Sequence, residues 1–109
     1  MGWFKTMQVI TLCGSLRYQN EMMIVAQKLA LEGMCVLTPT YKAQTNVKMT
    51  EEQLIGLKNA HFKRIDMSDS VFIVNVGNYI GDSTRLEIEY AEKLGKKIVY
   101  YTDWVNENC

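Results

Sequence analysis

The run Ser70-Val71-Phe72-Ile73-Val74-Asn75-Val76 is the strongest strand pattern in the chain. It is nearly continuously apolar, rich in β-branched residues, and has the length of a single strand. A strand that lacks alternation of apolar and polar residues is buried on both faces, as in a parallel sheet that is covered by helices. The rest of the chain is therefore expected to supply neighbouring parallel strands and covering helices.

Strand and helix patterns alternate on both sides of this run. Apolar runs predict further strands at 8–13, 35–38 and 98–101. Helical spacing predicts helices at 20–32, from residue 50 to residue 65, and at 83–94. The second helix is predicted to begin with a capping box of Thr50 and Gln53, and the third to carry the apolar stripe Leu86, Tyr90 and Leu94. The order β-α-β-α-β-α-β predicts an α/β fold with three layers, in which a parallel sheet of four to five strands has helices on both faces.

Length and composition limit the protein to one ordinary globular domain. We expect a single domain over residues 1–109, with residues 1–6 as a flexible leader that has no apolar signal core. Twelve basic residues balance twelve acidic ones, which argues against binding to a nucleic acid polymer. No apolar run approaches the ~20 residues of a membrane span, so we expect no membrane contact.

Cysteine and histidine usage indicates neither a disulfide framework nor a zinc site. The three cysteines, Cys13, Cys35 and Cys109, lack CxxC spacing, and His61 is the single histidine. We therefore expect a reducing, cytoplasmic setting and no metal or cofactor.

The first loop, Cys13-Gly14-Ser15-Leu16-Arg17, follows the first predicted strand directly. Ligands of parallel α/β sheets gather beyond the carboxyl ends of the strands. A glycine lets the backbone approach a ligand, and free amides, a hydroxyl and a guanidinium can hold an anion there. The alternative is a tight turn with a surface arginine, and the residues alone leave both open.

The loop after the third strand leads to a glutamate of interest. Glu87 has no basic residue four positions later, and it shares a helix stripe with Ala91 and Leu94, so it points toward the cleft or the rim of the core. Alternatively, Thr84 and Glu87 form a capping box, which the spacing alone favours. His61 shares a largely apolar helix face with Leu54, Leu57 and Ile65, which is typical of a satisfied, semi-buried histidine.

Three stretches together resemble the nucleoside 2-deoxyribosyltransferase superfamily. They are ITLCGSLR at 10–17, the run from His61 to Asp69, and GDSTRLEIEYAEKLGKKI at 81–98. The chain is most similar to a small bacterial and phage branch of that superfamily. The first stretch also resembles the phosphate-binding loop of 2'-deoxynucleoside 5'-monophosphate N-hydrolases.

The resemblance implies a flavodoxin-like Rossmann fold and a covalent glycosidic mechanism. Glu87 would be the nucleophile, and a second base or water would release the sugar by transfer or hydrolysis. The substrate would be a nucleotide or nucleoside, and the chain a homodimer or larger homo-oligomer whose site a neighbouring subunit completes. Substrate-binding positions implied by the resemblance are Gly14, Ser15, Leu16 and Arg17 for a 5'-phosphate, and Gly81, Ser83 and Thr84 beside the sugar.

The chain departs from the family pattern at three positions. Glu89 replaces a glycine, His61 stands where characterised members have an aspartate, and Asp82 falls one place from the family's loop aspartate. His61 could serve as an acid, a base or a hydroxyl ligand. Two rivals to an enzyme remain: a nucleotide-binding sensor or regulatory module without chemistry, and a purely structural interaction domain.

Overall fold

The computed structural model describes residues 7–108, so the predicted leader at residues 1–6 and Cys109 lie outside the described residues. In chain order the elements are β1 (Val9–Cys13), α1 (Gln19–Leu31), β2 (Cys35–Leu37), α2 (Glu51–Asp66), β3 (Ser70–Ile73), α3 (Asp82–Lys93), β4 (Lys97–Tyr100) and α4 (Tyr101–Asn108). Two short 3-10 turns, Leu16–Tyr18 and Val76–Asn78, follow the ends of β1 and β3.

The described strands form one parallel sheet in the order β2-β1-β3-β4. Residue Ile10 at the centre pairs with Val36 on one side and with Ser70 on the other. The position of β1 between β2 and β3 is the flavodoxin-like order, in which the chain reverses direction across the sheet between β1 and β3. The predicted three-layer α/β fold is confirmed.

Helices cover both faces of the sheet, as the continuous apolar strands require. Alternate residues of the central strands face α1 and α4 on one side, where the Phe72 ring packs edge-on against Trp104 at 5.5 Å between centroids. The other side packs against α2 and α3 through Ile65, Ile88 and Ala91. This second layer carries the α2 and α3 residues of the candidate site described below.

Hydrogen bonds tie the end of α2 to the start of the sheet. The Val9 amide donates to the Asp69 carboxylate and the Asp69 amide donates to the Val9 carbonyl, both at 2.8 Å. The buried hydroxyls of Thr11 and Ser68 form a cluster with the Arg64 carbonyl. The cluster satisfies these buried polar groups and fixes the last turns of α2 against β1.

Two helix faces differ from the sequence prediction. On α2, Ile65 is buried as predicted, but Leu54 is 51% exposed, because the first half of this helix borders a cleft and not the core. On α3 the predicted stripe is wrong: Leu86 is 47% exposed, and the face that packs on the sheet carries Thr84, Ile88 and Ala91. The pattern could not predict this rotation, because the Leu86 stripe is also helically spaced.

The starts of α2 and α4 test two predicted boundaries. The α2 helix begins as predicted, with a capping box in which Thr50 and Gln53 exchange side-chain and backbone hydrogen bonds. In contrast, the prediction that Tyr101 lies in the last strand is wrong, because Tyr101 begins α4, a helix that the sequence interpretation missed.

Within the described residues, no helix has the combined length and apolar character that a membrane crossing needs.

The ends of β1 and β3 approach each other at Gly14. A Cβ atom at this position would lie 3.1 Å from the Val74 carbonyl oxygen and 3.3 Å from the Val74 Cβ. The Val74 amide is itself hydrogen-bonded to the Cys13 carbonyl at 2.8 Å, so this neighbour has little room to move. The glycine is therefore required by close backbone packing.

We predict that Gly14→Ala destabilises the fold by about 1–3 kcal/mol, because the added methyl group overpacks the junction of β1 and β3. Gly56→Ala is the matched control, since Gly56 lies within α2, where nothing beyond its own stretch of helix comes within 4 Å of an added methyl group. This control should raise stability by about 0.5–1 kcal/mol through helix propensity. Urea denaturation measures both, and a Gly14→Ala protein as stable as wild type would contradict the packing argument.

Candidate functional site

A cleft of about 650 Å³ opens at the carboxyl edge of the sheet. It forms there because the chain leaves β1 toward α1 on one face and leaves β3 toward α3 on the other, so the two loops separate. The lining residues are Gly14, Ser15 and Leu16 after β1, Pro39, Thr40, Lys42 and Met49 before α2, Leu54, Leu57, Lys58, His61 and Arg64 of α2, and Tyr79, Gly81, Asp82, Ser83, Thr84 and Glu87 around the start of α3.

All of the predicted site residues except Arg17 line this one cleft. The Arg17 side chain is exposed, and its guanidinium lies over the Tyr79 ring at 4.3 Å from the centroid. The Ser15 hydroxyl accepts a hydrogen bond from the Arg17 amide at 3.3 Å and so caps the short turn that follows. The first loop thus presents residues 14–16 to the cleft, and Arg17 packs at the rim.

Glu87 projects into the cleft and takes no part in capping. The α3 helix has Gly81 as its N-cap, so Thr84 lies inside the helix, where its side chain is buried. The capping box favoured by spacing alone is therefore wrong. The Glu87 side chain is only 15% exposed. Its burial raises the pKa from 4.5 to about 7, although a hydrogen bond with Cys13 and the charge of Lys58 oppose the increase.

His61 is buried between α2 and the end of β1, and its partners define its protonation. Its Nδ1 lies 3.2 Å from a terminal nitrogen of Arg64. A guanidinium can only donate, so Nδ1 accepts and the neutral ring carries its proton on Nε2. Burial and the Arg64 charge lower the pKa of His61 from 6.5 to about 4, against a hydrogen bond to the Leu12 backbone. The ring is therefore a neutral donor at pH 7.

The protonated nitrogen of His61 faces the other two groups of the cluster. Nε2 lies 3.8 Å from Glu87 Oε1 and 3.5 Å from the Cys13 sulfur. Burial and the nearby Glu87 raise the pKa of the Cys13 thiol, which keeps the thiol protonated. A buried thiol, a neutral imidazole and a carboxyl group thus meet at the floor of the cleft.

The same three side chains include the ligand types of a metal site. Their potential ligand atoms all lie within 4.8 Å of one another. A metal-bound histidine normally donates its second ring N–H to an acceptor, whereas Nδ1 of His61 accepts from Arg64 and Nε2 keeps its proton. The arrangement favours a hydrogen-bonded cluster over a metal centre.

Sequence reasoning missed several lining residues, notably Lys58 and Arg64. They lie three residues on either side of His61, on the face of α2 that borders the cleft. The helical spacing that linked His61 to Leu54 and Leu57 also passes through these cations. They could have been found by asking which residues share the His61 face, but the leucines suggested that this face belonged to the core.

The raised pKa of Glu87 predicts a pH-dependent effect on stability. Below about pH 4.5 the carboxyl group is protonated in both the folded and the unfolded chain; as the pH rises to about 7 only the unfolded chain ionises, so stability is lost. Glu87→Gln removes this loss and should be about 3 kcal/mol more stable than wild type at pH 8, and nearly equal to it at pH 4.5.

Urea denaturation at the two pH values measures the difference, and Glu89→Gln on the exposed side of α3 is the control. The control should match wild type at both pH values. A Glu87→Gln effect of the same size at both pH values would contradict the assignment of a raised pKa.

Comparison with known proteins identifies a fold relative. No protein-family model and no curated protein match the chain. Among solved structures it is similar to the 2-desoxiribosyltransferase from Leishmania mexicana, with a TM-score of 0.64 and 17% identity, over 86% of this chain and 63% of that one. This chain thus spans less than two thirds of that protein. At this identity the likeness shows the fold alone, a deoxyribosyltransferase-like Rossmann-type fold. Membership of the superfamily and of its small bacterial and phage branch stays a prediction.

Proposed function

We propose that the protein cleaves the N-glycosidic bond of a (deoxy)nucleoside 5'-monophosphate, with Glu87 as the nucleophile. The observation that carries this proposal is a carboxyl group, 15% exposed, at the floor of a cleft between the ends of β1 and β3. Such a group is shielded from water yet open to a ligand, as a nucleophile in covalent glycosyl chemistry must be.

The proposed reaction has two steps at the anomeric carbon of the sugar. An oxygen of the ionised Glu87 forms a bond to that carbon, the bond to the nucleobase breaks, and its electron pair leaves with the base, which takes up a proton from water. Water or a second base then attacks the same carbon, loses a proton to the solvent and releases the carboxylate, giving hydrolysis or transfer. With a pKa of about 7, Glu87 is partly ionised at neutral pH, so the attacking form is present.

His61 and Asp82 take different parts in this proposal. Because Nε2 of His61 carries a proton and the ring stays neutral, its part is to donate toward Glu87 and orient the carboxylate, not to accept a proton through Nε2. Asp82 is the other carboxyl group of the cleft, exposed at the first residue of α3. We assign it to the leaving base, with Gly81, Ser83 and Thr84 beside the sugar.

The charge of the cleft supports an anionic substrate. Lys42, Lys58 and Arg64 line it together with two carboxyl groups. A 5'-phosphate would bind these cations and the backbone of the first loop, at Gly14, Ser15 and Leu16. Arg17 can join them only by leaving the Tyr79 ring.

A screen of nucleoside 5'-monophosphates for release of free base, followed by chromatography, tests the function. We expect Glu87→Gln to lower turnover by about 10³-fold or more, since the covalent step is lost. Glu89→Gln is the matched control, with the same change on the exposed face of the same helix, and should retain wild-type turnover. Undiminished turnover by Glu87→Gln would exclude Glu87 as the nucleophile.

A nucleotide-binding module without chemistry is the second candidate. It is favoured by the neutral His61 at the position of the family's aspartate, because neutral imidazole is a poor acid. This candidate predicts that a nucleoside monophosphate binds in calorimetry while no free base is released by wild type.

We also propose that a second copy of the chain covers the mouth of the cleft. Met49, Leu54 and Leu57 line the cleft yet are 36–51% exposed, and Ile55 beside them is 53% exposed. A second copy would bury this apolar rim and deepen the site. Light scattering should give the mass of a homodimer or a larger homo-oligomer, and a fully active monomer would contradict the assembly.

A further inference from the structure

Arg64, one of the three cations proposed to bind the phosphate, also makes two contacts within the cleft wall. One terminal nitrogen lies 3.2 Å from His61 Nδ1 and the other lies 3.4 Å from the Thr40 hydroxyl oxygen. The carbonyl of Arg64 is held by the hydroxyls of Thr11 and Ser68, so its backbone is fixed against β1. The side chain therefore links the loop before α2 to the imidazole at the cleft floor.

We propose that Arg64 is a positioning residue, which holds His61 in its Nε2–H form and thereby directs a neutral donor at Glu87. Its consequence for turnover rests on the proposed function, whereas the state of the imidazole ring does not. Thr40 holds the second arm of the guanidinium and so couples the cleft wall to the position of His61.

The guanidinium of Arg64 fixes the tautomer of His61. All nitrogens of a guanidinium donate and none accepts, so the opposite tautomer would place the Nδ1 proton against an Arg64 N–H. That tautomer would lose the hydrogen bond and leave two donors facing each other. With Nδ1 accepting, the only proton of the neutral ring faces Glu87 and Cys13.

The charged and titratable groups around His61 also favour the neutral ring. Arg64 lies against Nδ1 and Lys58 borders the same cleft, both from α2; Cys13 faces the ring from β1, and Glu87 from α3. A proton on Nδ1 would break the bond to Arg64 and add a charge beside an existing cation. Two groups oppose this: Glu87, when ionised, at 3.8 Å, and the Leu12 backbone through its hydrogen bond to the ring.

The chain offers a direct test because His61 is its single histidine. In protein labelled with ¹⁵N-histidine, NMR reports the protonation of each nitrogen of this ring alone. We expect wild type to show a protonated Nε2 and a bare Nδ1, without titration between pH 5 and 8. Arg64→Met removes the donor and the charge, so we expect a mixture of tautomers and a titration that moves upward in pH.

Two further variants separate the contact from general effects. Arg64→Lys keeps a donor and a charge, and should restore most of the Nε2–H form. Lys63→Met removes the neighbouring exposed cation, and should leave the wild-type spectrum unchanged. A wild-type spectrum in Arg64→Met would overturn the proposal. A charged or Nδ1-protonated ring in the wild-type protein would also overturn the proposal. This measurement does not depend on whether any variant folds.

Turnover provides a second readout. Loss of the directed donor raises the pKa of Glu87, so the acid limb of the pH–rate profile of Arg64→Met should move up by about one pH unit, a tenfold loss on that limb. An unshifted limb would contradict the link from Arg64 to Glu87. The NMR arm uses no substrate, so it tests Arg64 even in a protein that releases no base.

Discussion

The pairing of β1 with β3 at the centre of the sheet is the constraint on which the site depends. The chain leaves these neighbouring strands toward opposite faces, and this separation opens the cleft at their carboxyl ends. Gly14 allows the two strand ends to approach closely, because an added Cβ atom would lie only 3.1 Å from the Val74 carbonyl oxygen. The Cys13 sulfur at the end of β1 and the Glu87 carboxyl group of α3 meet His61 there, with their polar atoms within 4.8 Å of one another.

Removal from water then sets the protonation of the three side chains that meet there. Removal from water raises the pKa values of Glu87 and Cys13 and lowers that of His61, so all three groups are shifted toward their neutral forms. Arg64 is the cation at the edge of the cluster, and its hydrogen bond to Nδ1 leaves the imidazole proton on Nε2. A carboxyl group that ionises near neutrality beside a fixed neutral donor is suited to nucleophilic attack, which is why the proposed chemistry centres on Glu87.

Much of the fold was predictable because strand and helix periodicities are local. The run 70–76 indicated a buried parallel strand, and its first residues form β3 at the centre of the sheet. The Thr50 capping box is equally local and lies where predicted. Helix faces were less predictable, since Leu86 belongs to a helical stripe that tertiary packing turned outward, and Tyr101 continued an apolar run into a helix.

The candidate site was likewise predictable only in part. The first loop followed from its residue types at the end of a strand, because parallel strands bring their carboxyl ends to a common edge. Glu87 and His61 were assigned to the site by the family resemblance, since spacing alone favoured a capping role for Glu87 and a semi-buried position for His61. Their relationships depended on the packed chain: Thr84 turned inward and left Glu87 without a capping role, Arg17 settled on Tyr79, and Arg64 met His61. Spacing along the chain specifies which residues share an element, whereas orientation, burial and protonation arise only when elements pack and exclude water.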